Sequence, residues 1–176
     1  MDNLLKYFIK EPEREFHVRE LAKLDRKSPT TISKHLNKLK NEGLLLSRKK
    51  LNHLLFKANT ENQHFKDLKI FFNIKSLRES GLIGCLIDEF NQPEAIILFG
   101  SFRRGEDTQQ SDIDILIISP LKKEINLIKF EKILNRKIQL FIYPNSEIDK
   151  MKIKNKELLN NWINGLVLHG FWELFK

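Results

Sequence analysis

Apolar and polar positions along the chain follow two different periods, and the changes between them mark out the elements. Residues 3–10, NLLKYFIK, read as a short helix that stops before Glu11-Pro12. In FHVRELAKL, Val18, Leu21, Ala22 and Leu24 recur at helical spacing. After the turn DRKS, the stretch SPTTISKHLNKLKNEG predicts a longer helix. Ser28 is its N-cap, Pro29 takes the first helical position, and Ile32, Leu36 and Leu39 form its apolar stripe. Gly43 suits a left-handed C-cap. LLLS and HLLFKA then flank the tip RKKLN, the pattern of a two-stranded ribbon with a basic tip.

The middle of the chain returns to helical spacing. Residues 61–90 predict helices over about 62–78 and 81–90, broken near Ser80-Gly81, with Phe71, Phe72 and Ile74 expected to pack against both neighbours. Beyond Pro93, AIILF (95–99) is a continuous apolar run, as expected of a strand buried on both faces. A Gly-Ser turn, the short helix SFRRGE, and a second strand, SDIDILIIS, follow. LIKFEKILN reads as a helix and RKIQLFIYP as a third strand. The remainder predicts helix, with Leu158, Leu159, Trp162, Ile163, Leu166 and Val167 as one apolar stripe, and Trp162 and His169 in structural roles. The fold class expected is α/β (α+β): a helical domain with a ribbon over 1–60, a helical linker over 61–90, and a small mixed sheet flanked by helices over 91–176.

Composition narrows the classes. With 176 residues, 41% of them hydrophobic, the chain can bury a core in one domain or two small ones. No apolar run approaches the ~20 residues that span a bilayer. The opening MDNLLKYFIK has no basic flank ahead of its apolar part and no small-residue cleavage site, so a signal peptide is not expected. A single cysteine, Cys85, excludes an internal disulfide and Cys-rich zinc sites, and makes the cytoplasm the expected compartment, with no membrane partner. The net charge of +8 is unevenly placed: residues 1–60 carry 14 Lys+Arg against 7 Asp+Glu, and residues 61–176 carry 17 against 16. A basic third beside a nearly neutral remainder suggests that the first part faces a polyanion.

The order helix, helix, turn, helix, basic ribbon over about 3–60 resembles the winged helix-turn-helix domains of prokaryotic transcription regulators. The resemblance implies duplex DNA as partner, with the third helix in the major groove. Lys34 and Lys38 would meet phosphates or base edges, Thr30, Thr31, Ser33 and Asn37 would hydrogen-bond, and Arg48, Lys49 and Lys50 would reach the backbone or minor groove. A small helical domain for protein contacts is the plainer alternative.

The chemistry lies in GSFRRGEDTQQSDID, residues 100–114. Alternation along a strand puts Asp112 and Asp114 on one face. Two carboxylates there repel each other unless a cation lies between them, and an oxygen-rich pair suits Mg²⁺ together with a nucleotide's phosphates. Gly100 and Ser101 at a helix start make a natural phosphate site, with Arg103 and Arg104 adding positive charge. The spacing of Gly100, Ser101, Gly105, Ser111, Asp112 and Asp114 closely resembles the signature of polymerase-beta-like nucleotidyltransferases, above all the minimal prokaryotic members, over about residues 90–176. The resemblance implies that Gly100 and Ser101, with Arg104, Gly105 and Ser111 around them, bind a nucleoside triphosphate, ATP first among them. Asp112 and Asp114 would be the catalytic pair holding two Mg²⁺ ions, and a nucleoside monophosphate, often AMP, would pass to a protein or other acceptor. Related minimal nucleotidyltransferases often act as antitoxins on a helical toxin, which makes such a partner an expectation here; a homodimer is the oligomer to test for.

One position departs from that family. The third carboxylate, usually supplied by the next strand, falls on Gln139, which is neutral and cannot act as a base but can still offer one oxygen to a metal; Glu106, Asp107 and Glu131 are the alternative acids, though none sits at the expected place. Nucleotide binding is therefore the firmer expectation. The rival reading is a transcription regulator whose degenerate transferase domain senses a nucleotide; in a second rival, the winged helix of an enzyme binds RNA or protein.

Overall fold

A computed structural model describes residues 4–51 and 53–174. The chain divides into two compact units, Met1–Lys69 and Ile70–Lys176. The division lies inside a helix, whereas the sequence pattern set one boundary at residue 60 and a linker over 61–90.

The first unit runs α1 (Leu5–Lys10), β1 (Phe16–His17), α2 (Val18–Asp25), α3 (Pro29–Asn41), β2 (Leu45–Lys50) and β3 (His53–Ala58). Its sheet has the order β1-β3-β2, antiparallel throughout. Caps fix the helix starts: Ser28 Oγ accepts from Thr31 N at 3.2 Å to begin α3, and His17 Nδ1 accepts from Glu20 N at 3.3 Å to begin α2. Gly43 takes φ +77° just past α3. The stripe Ile32, Leu36 and Leu39 is buried, alongside Phe8, Phe16, Leu21 and Phe56. Phe8 and Phe16 meet edge to face at 5.1 Å. The two-residue strand β1 has no signal in the apolar pattern; pairing of Phe16 with Phe56 and His17 with Leu55 creates it.

Two helices, α4 (Gln63–Glu79) and α5 (Leu82–Glu89), lead into the second sheet. There follow β4 (Ala95–Phe99), α6 (Gly100–Arg104), β5 (Ile113–Ile118), α7 (Ile128–Leu134), β6 (Ile138–Tyr143), α8 (Asn145–Lys154), α9 (Lys156–Ile163) and β7 (Leu166–Gly170). The strand order is β6-β5-β4-β7. β4 pairs antiparallel with β5 and β7, while β5 and β6 run parallel, as the crossover through α7 requires. This is the mixed sheet flanked by helices that the pattern anticipates.

Both faces of the sheet are covered, which is why AIILF is apolar at every position. On one face Ile96, Leu98, Ile115 and Ile117 pack with Leu82, Leu86, Phe90, Phe102 and Phe130. On the other, Ala95, Ile97, Phe99, Leu116 and Ile118 pack with Ile148, Leu159 and Trp162 from α8 and α9. Trp162 is 1% exposed and meets Phe99 edge to face at 6.4 Å, so it belongs to the core.

Two expectations need correction. The C-terminal stripe is not one helix: α9 ends at Ile163, and Leu166 and Val167 lie in β7 beside β4. Gly165 makes the reversal possible, since a Cβ there would lie 2.8 Å from the carbonyl oxygens of Leu98 and Trp162. Phe71 is not packed between neighbours: it is 54% exposed and touches Phe72 edge-on at 5.9 Å, while Ile74 does pack against the sheet core. Among the described residues, no helix is long and apolar enough to cross a membrane.

Candidate nucleotidyl-transfer site and nucleic-acid interface

The site forms where β4 stops and β5 starts. β4 ends at Phe99, which pairs with Asp114, and the chain turns at once into α6. Gly100 sits in that turn at φ +74°. A Cβ on it would fall far inside van der Waals contact with Asp114 Oδ2 and 3.1 Å from Asp114 Cγ. Only glycine lets the backbone come so close to the carboxylate. The first-turn amides of α6, which have no intrahelical partners, therefore begin beside the acid pair. α6 closes at Gly105 (φ +68°), whose N–H donates to Ser101 O.

Asp112 and Asp114 flank Ile113 and are both half-buried. They lie at the start of β5, on the sheet face whose continuation carries Leu116 and Ile118 into the core beneath α8 and α9. Burial raises the Asp114 carboxyl above its ordinary value, and the neighbouring Asp112 raises it further; Arg104 pulls the other way. In the parallel register Asp114 stands opposite Gln139, the position that the sequence assigns to the missing third carboxylate. Gln139 Nε2 donates to Asp112 Oδ2 at 2.5 Å. The two carboxylates suit one hard divalent cation. The set supplies no anionic third ligand for a second ion, and among the described residues no three His, Cys, Asp or Glu side chains converge.

The loop between α6 and β5 is braced from within. Ser111 Oγ accepts from Thr108 N at 3.0 Å, and Ser111 N donates to Thr108 O at 3.3 Å. Ser111 thus shapes the turn that delivers Asp112. Arg104 Nε donates to Glu106 Oε2 at 2.7 Å. Asp107, 1% exposed, accepts from Asn73 Nδ2 at 2.8 Å and faces Arg136 Nη2 at 3.4 Å. Arg136 Nη1 donates to Gln109 O at 2.8 Å, and Asn73 Nδ2 also donates to Phe102 O. Nothing in the local sequence pattern points to this buried cluster, whose members lie far apart along the chain. Glu131 is engaged as well: it accepts from Ile138 N at 3.2 Å and pairs with Lys137, and both hold its carboxyl below the ordinary range.

A cleft of about 490 Å³ opens beside Asp112, between the 109–112 loop and α7. Gln109, Gln110, Ser111, Lys132, Asn135 and Lys137 line it. Its wall takes in Asp112 but not Gly100, Ser101 or Asp114.

In the first unit, α3 presents Thr30, Thr31, Lys34, Asn37 and Lys38 as exposed residues, with Ser33 half-buried, on the sides away from its buried stripe. Thr31 Oγ1 lies 2.8 Å from Ser28 Oγ, and Lys38 Nζ 3.9 Å from Glu42 Oε1. On the ribbon, Lys49 and Lys50 are exposed. Arg48 is engaged: both Glu15 carboxylate oxygens accept from its guanidinium, one of them from Nη2 at 2.6 Å. That pairing across 33 positions is invisible in the sequence.

The fold and the site together define a winged helix-turn-helix joined to a small mixed-sheet transferase domain. Residues 80–169, just over half of the chain, match the family model described as Nucleotidyltransferase domain, and the chain belongs to that family. Residues 4–47 match the model described as Bacterial regulatory protein, arsR family, which agrees with the helix-turn-helix built by α2 and α3. No curated protein matches the chain.

Proposed function

We propose that the chain is a DNA-binding nucleotidyltransferase that moves a nucleoside monophosphate, AMP from ATP in the first instance, onto an acceptor hydroxyl. The seat of Gly100 carries this reading. A glycine at φ +74° brings the start of α6 against the Asp114 carboxylate, which supports a reading in which the first-turn amides of α6 and the acids serve one ligand. Gly100 and Ser101, with Arg104 nearby, would hold the β- and γ-phosphates. Asp112 and Asp114 would hold Mg²⁺, which when bound polarises phosphoryl oxygens and stabilises departing pyrophosphate. An acceptor must attack in line, opposite the leaving group. The cleft bordered by Asp112, and not by Gly100 or Ser101, suits that approach.

Chemically, the acceptor hydroxyl oxygen forms a bond to the α-phosphorus as its proton passes to solvent, the α–β bridging bond breaks, and pyrophosphate leaves. The family resemblance suggests a hydroxyl on a helical toxin as acceptor, with this chain as the regulated antitoxin in the cytoplasm. DNA would be held through α3 and the ribbon tip, by a homodimer if two half-sites are read. The test is incubation of the chain with α-labelled ATP, Mg²⁺ and cell extract, then mass measurement of any labelled species. Label that appears with the wild type and vanishes with Asp114→Asn supports transfer.

One observation favours a second reading, a regulator that senses a nucleotide without transferring it: Gln139 replaces the third acid and bonds Asp112. In that case Mg-ATP changes DNA affinity while no acceptor is labelled.

A further inference from the structure

We propose, building on the nucleotide site above, that this site loads a single divalent ion with its nucleotide, and that Gln139 substitutes for the second. Two-metal phosphoryl chemistry needs ligands that can be shared between ions about 4 Å apart. Here the third ligand position, opposite Asp114 in the β5–β6 register, carries an amide. Its Nε2–H points at Asp112 Oδ2 across 2.5 Å. A hydrogen-bond donor thus occupies the flank of Asp112 from which a second cation would draw its charge. The amide holds the carboxylate in place as a cation would, but at no net charge.

Among the described residues, no third acid converges on the pair. Glu106 accepts from Arg104, Asp107 is buried against Asn73 and Arg136, and Glu131 is held by Ile138 N–H and Lys137. Freeing Asp107 would leave the Arg136 side chain, itself 9% exposed, without its carboxylate. Two carboxylates balance one divalent ion; a second would rest on the nucleotide alone. Gln139 is therefore a positioning residue: it sets the geometry of Asp112 and the ion stoichiometry without touching the nucleotide.

The test counts bound Mn²⁺ on the full chain by electron paramagnetic resonance, with a non-hydrolysable α,β-methylene analogue of ATP. One ion per wild-type chain is expected, and two per Gln139→Asp chain, the second seen as spin–spin broadening. Gln139→Glu carries that arm if the aspartate variant does not fold. Two coupled ions on the wild type overturn the inference while leaving the nucleotide site intact. One ion on the wild type and both variants overturns the assignment to Gln139. No ion and no analogue bound overturns the inference together with the nucleotide reading beneath it.

Discussion

Replacing Gly100 by alanine tests the closest approach in the site. Two costs add. An L-residue held at φ +74° is disfavoured by about 1–2 kcal/mol. The new methyl also meets Asp114, at 3.1 Å from Cγ and closer still to Oδ2, and relief of such overpacking costs about 1–3 kcal/mol. Asp114 is only half-buried and can swing partly aside, so the lower part of the sum, about 2–3 kcal/mol, is expected. At about 4 °C per kcal/mol for a domain of this size, the melting temperature should fall by about 10 °C. Swinging Asp114 aside also spoils the pair, so Mg-ATP affinity should fall with stability.

A double-mutant cycle isolates the contact. Asp114→Ala removes the carboxylate that the methyl strikes. In that background Gly100→Ala should cost only the backbone part, leaving a coupling of about 1 kcal/mol between the two positions, the share of the expected ~2–3 kcal/mol that the contact supplies. The assay is urea unfolding of all four proteins, with Mg-ATP titration of the wild type and Gly100→Ala. Additive costs, or a Gly100→Ala protein with wild-type stability and affinity, would refute the claim that this glycine is required by its approach to Asp114.

Other outcomes follow from the same geometry. Asp114→Asn should abolish Mg²⁺-dependent nucleotide binding yet stabilise the fold at neutral pH. Because the Asp114 carboxyl titrates above its ordinary 3.8, the folded state binds more protons than the unfolded one in that window, so wild-type stability falls as pH rises through it. The advantage of Asp114→Asn should therefore shrink on acidification, as read by melting across pH. Asp107→Ala should cost about 3–5 kcal/mol, because Arg136 loses its buried carboxylate; denaturant titration measures it. Replacing Lys34 and Lys38, or Lys49 and Lys50, should weaken DNA binding and flatten its salt slope by about one unit per lost phosphate contact. Glu15→Gln should tighten DNA binding by releasing Arg48, and unchanged affinity would remove Arg48 from the interface. Gln139→Asp should raise AMP transfer to the acceptor if that residue stands at the third-acid position, a gain of about 10²–10⁴ where the new acid acts as base; a wild type already transferring at an ordinary enzymatic rate, unchanged by the substitution, would argue against this.

Much of this was legible because the decisive features are local. The caps of α3, the doubly buried run of β4 and the spacing from Gly100 to Asp114 each sit within a short window, and each has a direct physical reason. What is not legible in the sequence depends on the third dimension. LVLHG, taken alone, fits a helical stripe as well as a strand, and only the pairing of β7 with β4 decides between them. Gly165 was the available clue, since a glycine inside an apolar helical stripe costs about 1 kcal/mol and calls for a reason. Asp107 lies in a polar loop between an exposed Glu106 and a half-buried Thr108, and nothing in its neighbours signals 1% exposure. Its partners come from 29 and 34 positions away.

The buried cluster and Gln139 bear on one question: how a site with only two acids keeps its shape without metal. Paired carboxylates on one strand face would otherwise push apart. Asn73 and Arg136 pin the loop ahead of Asp112 through Asp107 and Gln109, and Gln139 fixes Asp112 itself. A site held this way needs little rearrangement when a nucleotide arrives, so more of the binding free energy is available as affinity. A ligand present at 100 times its Kd then stabilises the folded unit by about 2.7 kcal/mol. A third carboxylate would add charge to be neutralised before the site closed, but would equip it better for turnover. On the proposed reading, glutamine at position 139 would favour holding a nucleotide over consuming it quickly. That balance would suit the proposed sensing role in a chain that also carries an arsR-type helix-turn-helix, because a slowly spent nucleotide would also report on its own supply.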